Sequence, residues 1–462
     1  MSQWLPKEQR KKIMLLSDDI RIHSGIGVMS REIVEKTCGY FNWVQVGAAI
    51  NHPEFGKIAD VSEMIQKQTG VEDPSVIIYP MHGYGNSVML RQIIEREKPD
   101  AILHFTDPRY WIWLYQMEHE IRQHIPMMFY TIWDNLPYPM YNKNFYRSED
   151  GLFSISKQTH NIVKQVLGEE AMGKIPHGID HKKFYPIPQE DEEGQKFLQD
   201  IKEQTFKNQE VNFMVFYNAR NLHRKMTSNV LLAYDYFLKK LPKEEADKCR
   251  IVLHTHPVDE HGTDLPAVIR DVVPNVKAIF SSGKVDTNIL NALYNLADVS
   301  INLASNEGFG LGTCESIVAG TPIIVNVTGG LQDQCGFMDD EGNYLDPDKH
   351  FTFDWGSNHD GKYQKHGEWS FPVFPKTRSL QGSPMTPYIF DDRCSWEEAG
   401  ERIYEVYNMT REERKRRGML GREYALGAGM FTAEKMGELF IENINKTLEN
   451  FTPRSRYTMV KV

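Results

Sequence analysis

The sequence predicts an α/β protein in which two doubly wound, mostly parallel sheets face each other across a cleft. Short apolar runs alternate with segments of helical periodicity in the first third of the chain, and the same alternation restarts after residue 210. A polar, charged stretch at 186–210 separates the two series and is typical of a linker followed by a solvated helix. The length of 462 residues also suits two or three domains, at about 150 residues each.

The first series predicts the N-terminal sheet. Strands are expected at 12–17, 43–49, 76–79, 101–105, 127–133 and 151–156, with helices at 28–37, 87–97 and 157–167. Because helical segments alternate with the strands, the strands should run mostly parallel, with helices covering both faces of the sheet. This domain is predicted to span residues 1–188.

The second series predicts the C-terminal sheet, in a domain spanning 189–430. Strands are expected at 211–218, 250–254, 276–280, 299–303 and 322–326, with helices at 229–240, 265–272, 288–297 and 312–319. Residues 337–395 break the alternation, since they are rich in Gly, Pro, Asp and aromatic residues. They predict a folded insertion with short strands, for which a role as a lid is open.

Composition narrows the class of protein. The chain is 40% hydrophobic and 25% charged, and its 53 Lys and Arg against 63 Asp and Glu give a net charge of −10. This charge argues against a protein that coats nucleic acid, although a local basic patch stays open. Five cysteines without paired spacing fit a reduced compartment. No apolar run reaches the about 18 residues of a membrane helix, so we expect a cytoplasmic enzyme, free or peripheral to a membrane.

A glycine-rich turn joins the predicted strand 299–303 to the helix 312–319. It reads N-E-G-F-G-L-G-T-C-E over 306–315, and its three glycines let the backbone approach a ligand closely, while the start of the helix offers N–H groups to an anion. Glu307 and Glu315 could accept hydrogen bonds from sugar hydroxyls. The alternative is an ordinary strand-to-helix turn in which Glu315 complements the helix dipole.

Two further turns carry groups suited to phosphate. Arg220 and Lys225 follow the strand 211–218 and could clamp a diphosphate, the guanidinium in bidentate fashion and the ammonium as a point charge. The alternative is a solvated basic turn. Gly25-Ile26-Gly27 lies between the first strand and the first helix and permits close approach to a phosphate or sugar, although the third glycine of a dinucleotide-binding motif is absent.

These three turns, in this order, resemble those of the retaining nucleotide-sugar glycosyltransferases of the GT-B fold, in particular the GT4-type family. The segments I-P-H-G-I-D at 175–180 and F-S-S-G-K-V at 280–285 are similar to two further segments of that family. The resemblance covers about residues 12–335 and leaves out the insertion. It implies that residues 431–462 form a helix crossing back to the N-terminal domain.

The resemblance also implies roles for individual residues. The catalytic residues would be Arg220, Lys225 and Glu307, with His104 facing the donor sugar; the alternative for His104 is a histidine of the core. The donor would be bound by Gly25, Ile26, Gly27, Lys284, Val285, Phe309, Gly310, Leu311, Gly312 and Glu315, where Glu315 holds the ribose and the 280–285 segment meets the base. No metal and no cofactor are implied other than a UDP-, GDP- or ADP-sugar as co-substrate.

The implied activity is a metal-independent hexosyl- or pentosyltransferase that retains the anomeric configuration. The acceptor stays open among a glycan, a lipid, a small molecule and a nucleic-acid base, and the oligomeric state is undetermined. Alternatives are a GT-B nucleotide-sugar epimerase, an inverting transferase and a noncatalytic nucleotide-sugar-binding protein. Two weaker metal-site candidates are the histidines at 254–261 with Asp264, and the D-P-D turn at 346–348.

Overall fold

Two parallel sheets form the framework of the protein. The computed structural model describes residues 4–49, 51, 53–168, 173–207 and 209–455. The first sheet contains β1 (Lys11–Asp18), β2 (Phe41–Ala48), β3 (Ala59–Asp60), β4 (Val76–Pro80), β5 (Ala101–Phe105), β6 (Met127–Thr131), β7 (Gly151–Ser154) and β8 (Gly173–Lys174). Its strand order is β3-β4-β2-β1-β5-β6-β7-β8, and every neighbouring pair is parallel except β3 and β4.

Helices connect these strands: α1 (Gly25–Thr37), α2 (Ser62–Thr69), α3 (Ser87–Glu97), α4 (Ile112–Gln116), α5 (Glu118–Ile121), α6 (Lys143–Arg147) and α7 (Lys157–Leu167). Three of the longer ones begin at a polar cap, since Ser24, Asn86 and Ser156 each accept a hydrogen bond from an N–H of the first turn. The centre of β1, from Ile13 to Leu16, is fully buried, as expected for a parallel strand covered on both faces.

The second sheet contains the strands from β9 to β14 in the order β11-β10-β9-β12-β13-β14, all parallel. In chain order the elements are α8 (Glu192–Phe206), β9 (Phe213–Asn218), α9 (Thr227–Leu238), α10 (Lys243–Ala246), β10 (Cys249–His254), α11 (Leu265–Asp271), β11 (Ala278–Ser281), α12 (Thr287–Leu296), β12 (Val299–Asn302), α13 (Leu311–Val318), β13 (Ile323–Asn326), α14 (Leu331–Gln334), α15 (Pro347–His350) and β14 (Ser370–Val373). Both strand orders change direction at the first strand of the sheet, where such folds bind ligands.

The segment 337–395 contributes to the sheet as well as extending beyond it. Its strand β14 pairs with β13 as the edge of the second sheet. After it, β15 (Pro375–Ser383) and β16 (Thr386–Cys394) form an antiparallel hairpin that belongs to neither large sheet.

Three helices complete the chain: α16 (Trp396–Tyr407), α17 (Arg411–Leu426) and α18 (Ala433–Asn450). Helix α18 packs on the first sheet layer, where Gly437 lies so close to α1 that a Cβ there would be 2.7 Å from the Cβ of Lys36. Residues 456–462 of the predicted C-terminal segment lie outside the described residues. Within the described ranges, no helix combines the length and the apolar character needed to cross a bilayer.

Candidate active site

A cleft of about 1180 Å³ opens between the carboxyl ends of the strands of the two sheets. The turns after β1, β5 and β6 line it from one side, and those after β9 and β12 line it from the other. Ten of the residues predicted for the site line this cleft: Gly25, Ile26, Arg220, Lys225, Glu307, Phe309, Gly310, Leu311, Gly312 and Glu315.

Two helix N-termini meet in the cleft. Helix α1 begins at Gly25 and α13 begins at Leu311, and a Cβ on Gly25 would lie 3.5 Å from Cδ1 of Leu311. The first N–H groups of a helix have no partner within the helix, and they carry the positive end of its dipole. The convergence of two such ends makes this part of the cleft suited to an anion.

The turn before α13 is held in a shape that requires glycine. Gly310 adopts φ +90°, a left-handed conformation that side chains disfavour. A Cβ on Gly312 would lie 2.6 Å from the backbone oxygen of Asn218 at the end of β9. The side chain of Gln334 fixes the turn by donating hydrogen bonds to the carbonyl oxygens of Phe309 (2.6 Å) and Gly310 (2.9 Å).

Glu307 and Lys225 form a buried ion pair at the centre of the cleft. Arg224 supports the pair, since its Nη1 lies 3.8 Å from Glu307 and donates to the carbonyl oxygen of Asn306 at 2.8 Å. Burial raises the pKa of Glu307, but the charges of Lys225 and Arg224 outweigh it and keep that pKa below its usual value. Glu307 is therefore an ionised, oriented acceptor of hydrogen bonds.

Arg220 lies at the mouth of the cleft with more than half of its side chain exposed (58%). Its Nε donates to Oδ2 of Asp259 at 3.0 Å, and the backbone N–H of His261 donates to the other oxygen of that carboxylate at 3.0 Å. The Arg220 guanidinium is thus directed by the Asp259 carboxylate and keeps further N–H groups for a ligand.

Glu315 lies in the middle of α13, with its carboxylate near the end of β9. It accepts hydrogen bonds from the Tyr294 hydroxyl (2.8 Å) and from Nδ2 of Asn218 (3.3 Å). Burial raises the pKa of Glu315 to about 7, against the smaller lowering effect of the Tyr294 hydroxyl. Its protonation state is therefore sensitive to pH near neutrality.

The structure does not place His104 in the cleft, which corrects the expectation that it faces a donor sugar. His104 is fully buried on β5, stacks on Phe129 with ring centroids 4.9 Å apart, and shares a hydrogen bond of 2.8 Å with the Tyr115 hydroxyl. Burial lowers the pKa of His104 to about 3. Phe129 itself lines the cleft and so separates His104 from it.

Three other predicted residues also do not line the cleft. Gly27 lies inside α1, its N–H donates to Oγ of Ser24, and a Cβ there would be 2.8 Å from the carbonyl oxygen of Ile22. Its role in the structure is therefore close packing of the turn. Lys284 and Val285 lie in the loop after β11. The pKa of His23, which lines the cleft, is lowered mainly by burial and secondly by the positive charge of Lys284.

Asp134 and His177 are among the cleft residues that sequence reasoning missed. Asp134 follows β6 and lines the cleft. The segment after β6 lies close to the turn that carries Glu307, since a Cβ on Gly308 would lie 3.1 Å from the Ile132 carbonyl oxygen and 4.0 Å from the Asp134 carboxylate. Burial raises the pKa of Asp134 to about 6, with Arg224 opposing and Glu307 adding to the effect. Its position directly after a predicted strand was the available signal.

His177 is the second. The Tyr130 hydroxyl donates to the Ile175 carbonyl oxygen at 2.7 Å, so it accepts from Nδ1 of His177 at 2.8 Å. Burial lowers the pKa of His177 to about 3, which keeps its ring neutral and leaves Nε2 as an acceptor. The I-P-H-G-I-D segment was the signal for this residue.

The metal-site candidates have other partners. Nδ1 of His254 lies 3.0 Å from Oγ of Ser281, and Asp348 pairs with Lys164 at 3.0 Å. In the described part of the chain, Asp180, His181 and Glu434 form the group whose ligand atoms lie close enough to hold a metal. Lys36 lies 3.1 Å from Asp180 and 3.2 Å from Glu434, so an ammonium already compensates these carboxylates.

Comparison with solved structures identifies the architecture, whereas no protein family and no curated protein matches the sequence. HepE from Anabaena, solved in complex with UDP and glucose, has a TM-score of 0.63 at 12% identity, covering 95% of this chain and 100% of that one. Sucrose-phosphate synthase from Thermosynechococcus elongatus gives 0.65 at 14%, covering 95% and 100%. A glycosyltransferase from Rickettsia africae gives 0.60 at 14%, covering 96% and 99%. The chain therefore has the GT-B fold, as the sequence predicted.

Proposed function

We propose that the protein is a retaining glycosyltransferase of the GT4 type that transfers a sugar from a nucleoside diphosphate sugar without a metal ion. The observation that carries the proposal is the convergence of the N-termini of α1 and α13 in the cleft that Arg220 and Lys225 also line. Two helix dipoles and two cations at one place suit a diphosphate. That the solved structure of HepE contains UDP makes a uridine donor the first to test.

The same groups would stabilise the leaving group. Negative charge develops on the β-phosphate oxygen as the glycosidic bond breaks, and preorganised cations and amides in a partly closed cleft lower the energy of that transition state. We assign this role to Arg220, to Lys225 and to the backbone N–H groups of 309–312. In this proposal residues 189–430 bind the donor, residues 1–188 bind the acceptor, and the C-terminal helix of the segment 431–462 crosses back to the first domain.

The carboxylates have distinct roles in the proposal. Glu307, held ionised by Lys225, accepts hydrogen bonds from the donor sugar, and Glu315 accepts them from the ribose. Lys284 and Val285 meet the base from the loop after β11. Because Glu307 is ion-paired and Glu315 is hydrogen-bonded to Tyr294, neither is a free nucleophile, and this supports attack by the acceptor from the same face as the leaving group.

A thermal-shift screen of UDP-, GDP- and ADP-sugars tests the proposal, because a ligand that binds the folded state raises the melting temperature. The donor with the largest shift is then incubated with candidate acceptors, and the products are identified by mass spectrometry and their anomers by NMR. Glu307→Gln should lose transfer while it keeps nucleotide binding. The absence of both donor binding and transfer would refute the proposal. A product with the inverted anomeric configuration would contradict retention and leave only the proposed donor site.

A further inference from the structure

The hairpin β15–β16 is anchored to the turn that carries Glu307. The Asp392 side chain is almost fully buried (1% exposed) and accepts hydrogen bonds from the Thr328 hydroxyl at 2.9 Å and from Nε of Arg378 at 3.0 Å. The backbone N–H of Asp392 donates to the carbonyl oxygen of Ser305 at 3.1 Å. Asn306, next to Glu307, donates to the Phe390 carbonyl oxygen at 3.0 Å.

The same hairpin is bonded to the opposite side of the cleft. The N–H of Phe390 donates to the carbonyl oxygen of Leu136 at 2.6 Å, and Nδ2 of Asn135 donates to the Phe390 carbonyl oxygen at 3.0 Å. The Tyr141 hydroxyl donates to the carbonyl oxygen of Tyr388 at 2.9 Å. The hairpin therefore spans the cleft at the end near Glu307, whereas Glu315 and Asn218 mark the other end.

The tip of the hairpin faces into the cleft. Gln381, Gly382, Ser383, Thr386 and Ile389 line it together with groups of the first domain. Among the latter, Arg109 pairs with Asp107, whose Oδ1 accepts from its Nε at 2.8 Å, and the Arg109 guanidinium lies 5.0 Å from the ring centre of Trp133. The cation is thus already balanced by a carboxylate, and Lys225 and Arg224 at this end are likewise balanced by Glu307 and Asp134. Asn142, Tyr146 and the hairpin tip add neutral polar groups.

We propose that the tip of β15–β16 forms one wall of the acceptor site, and that this site takes a compact, uncharged, polyhydroxylated molecule. The inference rests on the proposed function. Neutral amide and hydroxyl groups pair with sugar or polyol hydroxyls. Because the hairpin is hydrogen-bonded to both sides of the cleft, it closes this end of the cleft. A polymeric acceptor would therefore have little room to pass through.

Selective alkylation of the hairpin tip provides the test. All five native cysteines are buried, so a maleimide should label Ser383→Cys alone. The matched control is Leu380→Cys, on the same hairpin but with a side chain that is 61% exposed and does not line the cleft. Both proteins are loaded with UDP, and binding of D-glucose, D-mannose and myo-inositol is followed by saturation-transfer NMR, with maltopentaose and glucose 6-phosphate as comparison ligands.

We expect at least one of the three neutral probes to bind the UDP-loaded wild type. Alkylated Ser383→Cys should bind it about tenfold more weakly, the scale of one or two lost hydrogen bonds, with UDP affinity unchanged, and alkylated Leu380→Cys should behave as wild type. The inference is overturned if no neutral probe binds, if only maltopentaose or glucose 6-phosphate binds, or if alkylation of Ser383→Cys has no effect. Failure of the wild type to bind UDP, GDP or ADP contradicts the proposed function first.

Discussion

Arg220 and Lys225 lie five positions apart in the sequence but occupy different environments in the protein. The Arg220 side chain is 58% exposed and pairs with Asp259, whereas the Lys225 side chain is 11% exposed and pairs with buried Glu307. Water screens a pair whose cation is exposed, so that pair contributes little to stability, while a buried charge without its partner is costly. Substitutions at the two positions should therefore have separable effects on activity and on folding.

We expect Arg220→Ala to lower kcat by about 10²–10³, the scale for the loss of one preorganised charge stabiliser, with an unchanged melting temperature. Steady-state kinetics with the donor found in the screen measure the effect. The control is Arg270→Ala, since Arg270 is also exposed, pairs with Asp271 and does not line the cleft. Normal turnover in a folded Arg220→Ala protein would exclude Arg220 from the diphosphate site.

Lys225→Met should lower the free energy of unfolding by about 3 kcal/mol, because it leaves Glu307 ionised and buried with Arg224, 3.8 Å away, as its remaining cation among the described residues. Urea unfolding of the purified variant measures this change. The double variant Lys225→Met/Glu307→Gln should recover most of the loss, since it removes both charges. A double variant as unstable as the single one would mean that the packing of Lys225, and not its charge, supports the fold.

Glu315 gives the cleft a pH dependence. Its pKa of about 7 means that the carboxylate becomes protonated as the pH falls through 7, and a protonated carboxyl accepts fewer hydrogen bonds from ribose. Affinity for UDP-glucose should therefore fall by up to about tenfold per pH unit below 7 and level off above it. Calorimetric titrations at several pH values measure this, and Glu315→Gln should bind weakly without that slope. Persistence of the slope in Glu315→Gln would assign it to another group, of which Asp134 is the nearest candidate.

At the level of the elements, the position of α13 depends on how closely its first turn approaches β9. An alanine at position 312 would bring its Cβ to 2.6 Å from the Asn218 carbonyl oxygen, and that backbone atom cannot move aside as a flexible side chain could. Helix α13 must then shift away from β9, and with it the N–H groups that face α1.

We expect Gly312→Ala to lower stability by about 1–3 kcal/mol and to weaken nucleotide binding as α13 moves. Melting temperature and UDP affinity are the two measurements. Gly25→Ala is the matched control for folding, because its Cβ would lie an ordinary 3.5 Å from the Leu311 side chain. If Gly312→Ala retains wild-type stability and affinity, the close approach of α13 to β9 does not constrain the site.

At the level of the whole molecule, the segment 337–395 joins the two sheets across the cleft. Besides the hairpin contacts, the Tyr138 hydroxyl donates to the Phe353 carbonyl oxygen at 2.9 Å and Lys164 pairs with Asp348 at 3.0 Å. The relative position of the domains therefore depends on an insertion that lies outside the two series of strands and helices.

Asp392→Ala should loosen this connection, because it leaves the Thr328 hydroxyl and Nε of Arg378 without their acceptor. We expect faster hydrogen exchange in residues 375–394 and, through Phe390, in 135–141, while exchange in the central strands β1 and β9 stays slow. Arg393→Ala is the control on the same strand, since Arg393 is half-exposed and pairs only with neighbouring Asp391 among the described contacts. Unchanged exchange at 135–141 would show that the hairpin does not transmit order between the domains.

The local pattern of the sequence was sufficient for the two sheets except for the strands β3, β8 and β14, and for ten of the residues that line the cleft. Alternation of strands and helices predicts parallel sheets because only a crossover helix can return the chain to a parallel neighbour. The carboxyl ends of such strands share one edge of their sheet, so the turns holding Arg220, Glu307 and Glu315 had to lie together. That the Gly25 turn of the other sheet faces them was implied by the resemblance to GT-B enzymes, and these turns line one cleft. These inferences depend on contacts between neighbouring parts of the chain.

The environment of His104 and the role of the hairpin could not be read from the sequence. The alternation of side chains along β5 shows which face of the strand His104 occupies. It does not show that the rings of Phe129 and Tyr115, from other segments, cover His104. Likewise Asn135 and Phe390 are 255 positions apart, and nothing in either segment specifies their contact. Periodicity determines which face of an element a side chain occupies, whereas burial and contact depend on what the rest of the chain packs against that face. The sequence thus determined the fold and the loops that converge on the cleft, while long-range packing decided which side chains reach the cleft and what closes it.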